Sequence, residues 1–128
     1  MKALLINSKD KTVTKVQIKD YKEIYGLIGN GCSTFACPVE FDNGDVLYCD
    51  DEGLLKEKVE GCFMFPEWNT PIVGNAVILG SDDDGQSIDA KTNISFFTEN
   101  LIWGNEAVAE EYRNFALSQP ITIVTDFE

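Results

Sequence analysis

The side chains able to ligate a metal or attack a carbonyl are few, and their spacing suits neither task. The chain has no histidine, one arginine (Arg113) and four cysteines: Cys32, Cys37, Cys49 and Cys62. Structural zinc pairs its ligands across two to four intervening residues in both halves of a site. Only Cys32 and Cys37 meet that spacing; eleven and twelve residues separate the later cysteines. They read as small core residues, and no metal site is assigned. Two acidic runs end in glycine, Asp50-Asp51-Glu52-Gly53 and Asp82-Asp83-Asp84-Gly85. Setting either glycine at the sixth position of a calcium-binding EF-hand loop puts Tyr48 or Gly80 where the first aspartate belongs. The twelfth position, a glutamate in such loops, then holds Val59 or Lys91. Both runs are expected to be solvated turns. Without histidine no Ser–His or Cys–His pair exists, and one arginine supplies little for clamping a phosphate or carboxylate. The glycine-rich stretch Gly29 to Thr34 lacks the spacing of a dinucleotide or phosphate loop, follows a helix pattern and is not followed by a lysine. The expectation is a non-enzymatic protein with no cofactor.

What the chain has in excess is carboxylate. Ten basic residues against 22 acidic ones give a net charge of −12. The first 39 residues hold six lysines and three acids, whereas four basic and nineteen acidic residues follow from Glu40 onward. Direct binding to nucleic acid is disfavoured, because phosphate contacts need clustered Lys and Arg; anionic membranes are disfavoured for the same reason. A field of this sign governs partners and solubility rather than fold. Lys2 leads straight into ALLINSKDK with no long apolar run, so neither a signal peptide nor an anchor is expected. The expected setting is the cytoplasm of a bacterial host, where the cysteines stay reduced.

The elements that must position these groups can be read from periodicity. With 128 residues, 44% of them hydrophobic, the chain fits a single small domain of residues 1–128. Its organising stretch is Thr70 to Gly85, in which Ile72 to Leu79 is almost continuously apolar and reads as a central strand covered on both faces. Lys2–Asn7 and Thr12–Ile18 read as two strands, the second alternating with Thr14, Val16 and Ile18 on one side. Asp20, with Glu23 in capping-box position, opens a short helix that Gly29 ends. Asn43-Gly44 between Val39–Phe41 and Val46–Cys49 signals a hairpin in which both central residues take positive φ. Asn93–Thr98 reads as a strand. Asn105 caps a helix that runs through Gln119 to Pro120, burying Val108, Tyr112 and Phe115 and wetting Glu106, Glu110 and Arg113. A last strand is expected at Ile121–Val124. The fold class is therefore α+β: a mostly antiparallel twisted sheet of about five to seven strands, a short helix after strand two and a C-terminal helix.

Between the acidic runs, Phe63-Met64-Phe65-Pro66-Glu67-Trp68 concentrates large side chains. It either wraps over the sheet as core or forms an exposed patch of the kind that marks an interface.

The MKALLI strand, VEFDNGDVLYCDDEG and PIVGNAVILGSDDDG resemble a family of small phage and plasmid proteins, a domain of unknown function of the DUF3846 type. The resemblance covers roughly residues 1–90 and implies a mobile-element origin rather than a reaction. On that footing the expected function is binding and inhibition of a basic, nucleic-acid-handling host defence protein, of anti-CRISPR or anti-restriction type, by mimicry of DNA charge. The candidate partner-binding residues are Asp50, Asp51, Glu52, Asp82, Asp83, Asp84, Glu106, Glu110 and Glu111, joined by the aromatics Phe63, Phe65 and Trp68. One alternative is a small-molecule binder that sequesters a signalling ligand between Phe63, Phe65, Trp68 and Trp103. Another is a structural or assembly subunit, homodimeric or docking through residues 63–68.

Overall fold

The computed structural model describes residues 1–118; the expected Pro120 stop and Ile121–Val124 strand lie outside them. The described chain runs β1 (Lys2–Asn7), β2 (Thr12–Gln17), α1 (Glu23–Ile28), β3 (Phe35–Glu40), β4 (Val46–Asp50), β5 (Cys62–Met64), β6 (Ile72–Val73), β7 (Ala76–Ser81), β8 (Ser87–Ile88), α2 (Ile94–Asn100), β9 (Ile102–Gly104) and α3 (Glu106–Ser118). A main antiparallel sheet has the order β2-β1-β7-β4-β3, with β8 added to the end of β7. A second, small sheet has the order β6-β5-β9.

Strand β7 holds the centre because its side chains alternate between two apolar layers. Ala76 and Ile78 face a core shared with Leu4, Ile6, Leu47, Phe63 and Phe97. Val77 and Leu79 face Ala3, Ile18, Ile24 and Ile28 on the other side. The second layer is roofed by α1, the first by the small sheet and α2. A further layer places Val59, Cys62 and Val73 against Ala109 of α3. The strand β5 shows why both faces must be apolar: Cys62 points to α3 while its neighbour Phe63 points to the main sheet. The described residues thus form an α+β fold with a mostly antiparallel six-stranded sheet, a second small sheet and three α-helices.

Four local expectations need correction. The apolar run Ile72–Leu79 is not one strand: Gly74 sits at φ 91, which no pleated strand accommodates, and the break sends Ile72–Val73 into the small sheet. Residues 94–100 form a helix rather than a strand. Ile94, Phe97 and Leu101 share the core, a three-and-seven spacing that β-branched and aromatic composition concealed. In the hairpin, Gly44 alone of the turn has positive φ, at 93. The Gly44 amide donates to the Phe41 carbonyl (2.9 Å) and the Phe41 amide to the Asp45 carbonyl (2.7 Å). That is a three-residue loop closed by a glycine bulge, not a two-residue turn. Finally α3 buries Ala109, whereas Val108 and Phe115 are 50% and 60% exposed. Small Ala109 lets the helix approach the small sheet closely, and that sets the buried face one residue round from the predicted one.

At α1 the capping signal is used differently from its usual form. The Glu23 carboxylate reaches back to the amides of Lys19 (2.5 Å) and Asp20 (3.2 Å), as in a capping box. The helix itself starts at Glu23, with Lys22 at the N-cap and no side-chain cap.

Candidate functional site

The acidic residues do not share one surface. Strands β4 and β7 are antiparallel, with Val46 opposite Leu79 and Cys49 opposite Ala76. The Asp42–Asp45 and Asp82–Asp84 turns therefore meet at one end of the sheet, and Asp50–Glu52 leaves from the other. Four residue steps along a strand separate them by roughly 13 Å. This register sets the candidate residues Asp82, Asp83 and Asp84 apart from Asp50, Asp51 and Glu52, so they form no single acidic face.

The first end is a double hairpin. The β7–β8 turn repeats the geometry of the β3–β4 turn. The Gly85 amide donates to the Asp82 carbonyl (3.0 Å), the Asp82 amide to the Gln86 carbonyl (2.9 Å), and Gly85 takes φ 82. The Ser81 hydroxyl donates to the Gly44 carbonyl (2.8 Å), which holds the tips side by side. Asp42, Asp82, Asp83 and Asp84 are exposed there. One Asp82 carboxylate oxygen accepts from the Asp84 and Gln86 amides (both 2.9 Å), so its charge also shapes the turn.

Beneath the tips Asp45 is wholly buried. It accepts from the Lys91 amide (3.0 Å), the Thr92 amide (2.8 Å) and the Thr92 hydroxyl (2.6 Å). The Asn43 amide nitrogen donates to that same hydroxyl (2.9 Å), and the Lys91 ammonium donates to the Asn43 carbonyl (3.1 Å). No local pattern in the sequence sets Asp45 apart from the other aspartates of the turn. The missing signal was tertiary, since its donors lie 46 and 47 positions away.

The opposite end is mixed in charge and carries a cleft of about 230 Å³. Its wall includes the end of α1 (Gly26 to Asn30), Gly74-Asn75, Ser8, Asp50 and Lys56. Asp50 is no displayed carboxylate: its side chain is 5% exposed and pairs with Lys56 at 3.2 Å. Asp51 and Glu52 beside it are exposed. The Ser8 hydroxyl donates to the Gly74 carbonyl, and the Ser8 amide donates to the Asn75 side-chain oxygen (3.0 Å).

On α3, Glu106 and Glu111 are exposed, while Glu110 is bound by Arg113 at 2.6 Å. Arg113 does not lie on the wet face predicted for it. It bridges to the carbonyls of Lys56 (2.6 Å) and Glu57 (3.1 Å), fastening α3 to the segment after β4. The aromatic segment is core. Phe63 and Phe65 are buried and Trp68 packs edge-on against Phe65 with ring centroids 5.0 Å apart. Phe63 also packs against Trp103 at 6.3 Å. Phe63 and Phe65 are thereby withdrawn from the candidate surface, and a ligand slot between the four aromatics is filled by the rings themselves.

The cysteines are dispersed over β3, β4, β5 and the α1–β3 loop and all are free thiols; Cys49 and Cys62 are core as expected, whereas Cys32 is half-buried and Cys37 exposed. Burial pushes the Cys49 thiol up to about 12, with the nearby Cys37 and Asp50 adding to the rise. Burial also raises Cys32, Cys37 and Cys62. None is an activated nucleophile. No helix among the described residues is long and apolar enough to cross a membrane.

Fold and site together define a small α+β protein with a carboxylate-tipped double hairpin at one end of its sheet. The chain belongs to the family described as a domain of unknown function (DUF3846), whose model matches residues 1–102. That match spans everything from β1 through α2, including both acidic hairpins and the cleft, and stops before α3. No curated protein and no solved structure matches the chain.

Proposed function

We propose that this protein is a non-enzymatic binding domain of a mobile genetic element that docks a basic surface with its double-hairpin end. Its partner, in this reading, is a nucleic-acid-handling defence protein of the bacterial host, which docking inhibits. The observation that carries it is the pairing of the two turns. Asp42, Asp82, Asp83 and Asp84 stand together on hairpins joined by the Ser81–Gly44 hydrogen bond and founded on buried Asp45. Carboxylates on a rigid tip meet a basic groove without an ordering cost, and their field speeds encounter with positive partners. With Asp50 paired and Glu110 bridged, mimicry of a long stretch of duplex is replaced by a compact acidic plug.

The test compares the wild-type chain with a variant carrying Asp42→Asn, Asp82→Asn, Asp83→Asn and Asp84→Asn. Asparagine keeps the side-chain oxygen that the turn at Asp82 uses. Immobilised on a resin, the wild type should retain a basic protein from host lysate at ~50 mM salt and release it by ~300 mM. The variant should retain none, and duplex DNA should compete for the retained protein. Equal retention by both chains, or retention indifferent to salt, overturns the reading.

A further inference from the structure

We propose that the cleft between the end of α1 and the Gly74-Asn75 link receives a lysine side chain of the basic partner, its ammonium held by the cleft's acceptors. This rests on the binding reading above and adds a second, shape-selective contact at the far end of the sheet. Three observations point to a donor-bearing cation.

First, α1 ends on this cleft with its Tyr25 carbonyl capped by the Gly29 amide (2.9 Å) and its later carbonyls to spare. Among the described residues no hydrogen bond is made to the carbonyls of Gly26, Leu27 or Ile28, and the last turn holds no basic residue. The negative end of a helix favours cations. Second, three of the side-chain donors in the wall are committed. Lys56 spends its ammonium on Asp50 (3.2 Å) and the Gly31 carbonyl (3.1 Å), the Ser8 hydroxyl serves Gly74, and the Asn30 amide serves the Lys58 carbonyl (3.0 Å). The Lys56 charge is offset by its partner, and Glu60 stands at the rim in an exposed pair with Lys9. Third, the backbone is bare where an incoming stem would pass. A Cβ built on Gly26 or on Gly74 meets nothing within 4 Å. Glycine inside a helix costs about 1 kcal/mol relative to alanine, and no neighbour packs against this one to require it. The cleft has room for one alkylammonium, and the net charge of −12 favours a cation over any anion.

The test is an amide chemical-shift titration of the whole chain near pH 7 with n-butylammonium, with n-butanol as the uncharged control at matched ionic strength. Saturable shifts at Gly26, Gly29, Gly74 and Asn75 with the amine, and none with the alcohol, are expected. A Gly26→Met variant should fold, because the space beside Gly26 is open and methionine favours helix. It should weaken the amine roughly tenfold or more by filling the cleft. Shifts that never saturate, that appear equally with butanol, or that survive Gly26→Met overturn the proposal. So does spermidine binding roughly tenfold more tightly than a lysine-containing peptide, which would make the site one for free polyamines. Failure here leaves capture by the hairpin tips untouched, and loss of capture leaves the titration interpretable.

Discussion

Replacing Asp45 by alanine tests the foundation of the proposed docking end. The side chain is fully buried, and its carboxylate is the acceptor for two amides and one hydroxyl of Lys91-Thr92. Alanine leaves the donors of exposed Lys91 and half-buried Thr92 without their acceptor, while the Asn43 side chain loses a fixed Thr92 hydroxyl to bond. Three hydrogen bonds to one charged acceptor are together worth about 3 kcal/mol. A chain of this length unfolds with an entropy that converts the loss into a fall in Tm of roughly 10–20 °C. Urea denaturation of Asp45→Ala followed by tryptophan fluorescence gives the free energy, and Asp42→Ala, at an exposed turn position, is the control expected within about 0.5 kcal/mol of wild type. Amide exchange at Lys91 and Thr92 should accelerate in Asp45→Ala. A loss below about 1 kcal/mol would mean that water replaces the carboxylate. The hairpin tips would then not be rigidly founded, and the argument for a preorganised plug would fail with them.

Arg113→Ala removes the bridge from α3 to the Lys56 and Glu57 carbonyls. It should cost about 1–3 kcal/mol, with faster amide exchange along α3 and unchanged exchange in β7; an unaltered α3 would show that Ala109 packing suffices alone. The Cys49 thiol, held up to about 12 against an ordinary 9.0, stabilises the fold below the ordinary value. That contribution is lost as pH rises from 9 toward 12, because the unfolded thiol ionises first. Under reducing conditions, wild type should therefore lose about 1.4 kcal/mol more than Cys49→Ala between about pH 8 and about pH 10. Parallel pH profiles for the two chains would exclude this origin.

The composition of the layers is legible in local pattern alone. Alternation in Thr12–Ile18 and the apolar stretch ending at Leu79 pointed to an antiparallel edge and to a centre covered on both faces, because side chains two apart on a strand face the same environment. The Asn43-Gly44 pair marked the β3–β4 hairpin, since a reversal needs a residue tolerant of positive φ, whereas Asp82–Gly85 read only as a solvated turn and the pairing of β8 with β7 came from the structure. The absence of histidine was equally legible, as were the excess of carboxylate and its concentration after Glu40.

Tertiary structure decided what those residues do. Whether Ile72–Val73 continues β7 or crosses to the small sheet depends on φ at Gly74, which composition does not encode. Whether Phe63 and Phe65 form core or surface depends on β5 folding back over the main sheet. Asp45, Asp50 and Asp82 are alike in chemistry and all follow or precede glycine-bearing turns. One is a buried keystone, one half of an ion pair and one an exposed tip. The physical reason is that a carboxylate's role is fixed by which donors the fold brings within 3 Å of it. For Asp45 those donors are nearly half a hundred positions away, beyond the reach of any local pattern.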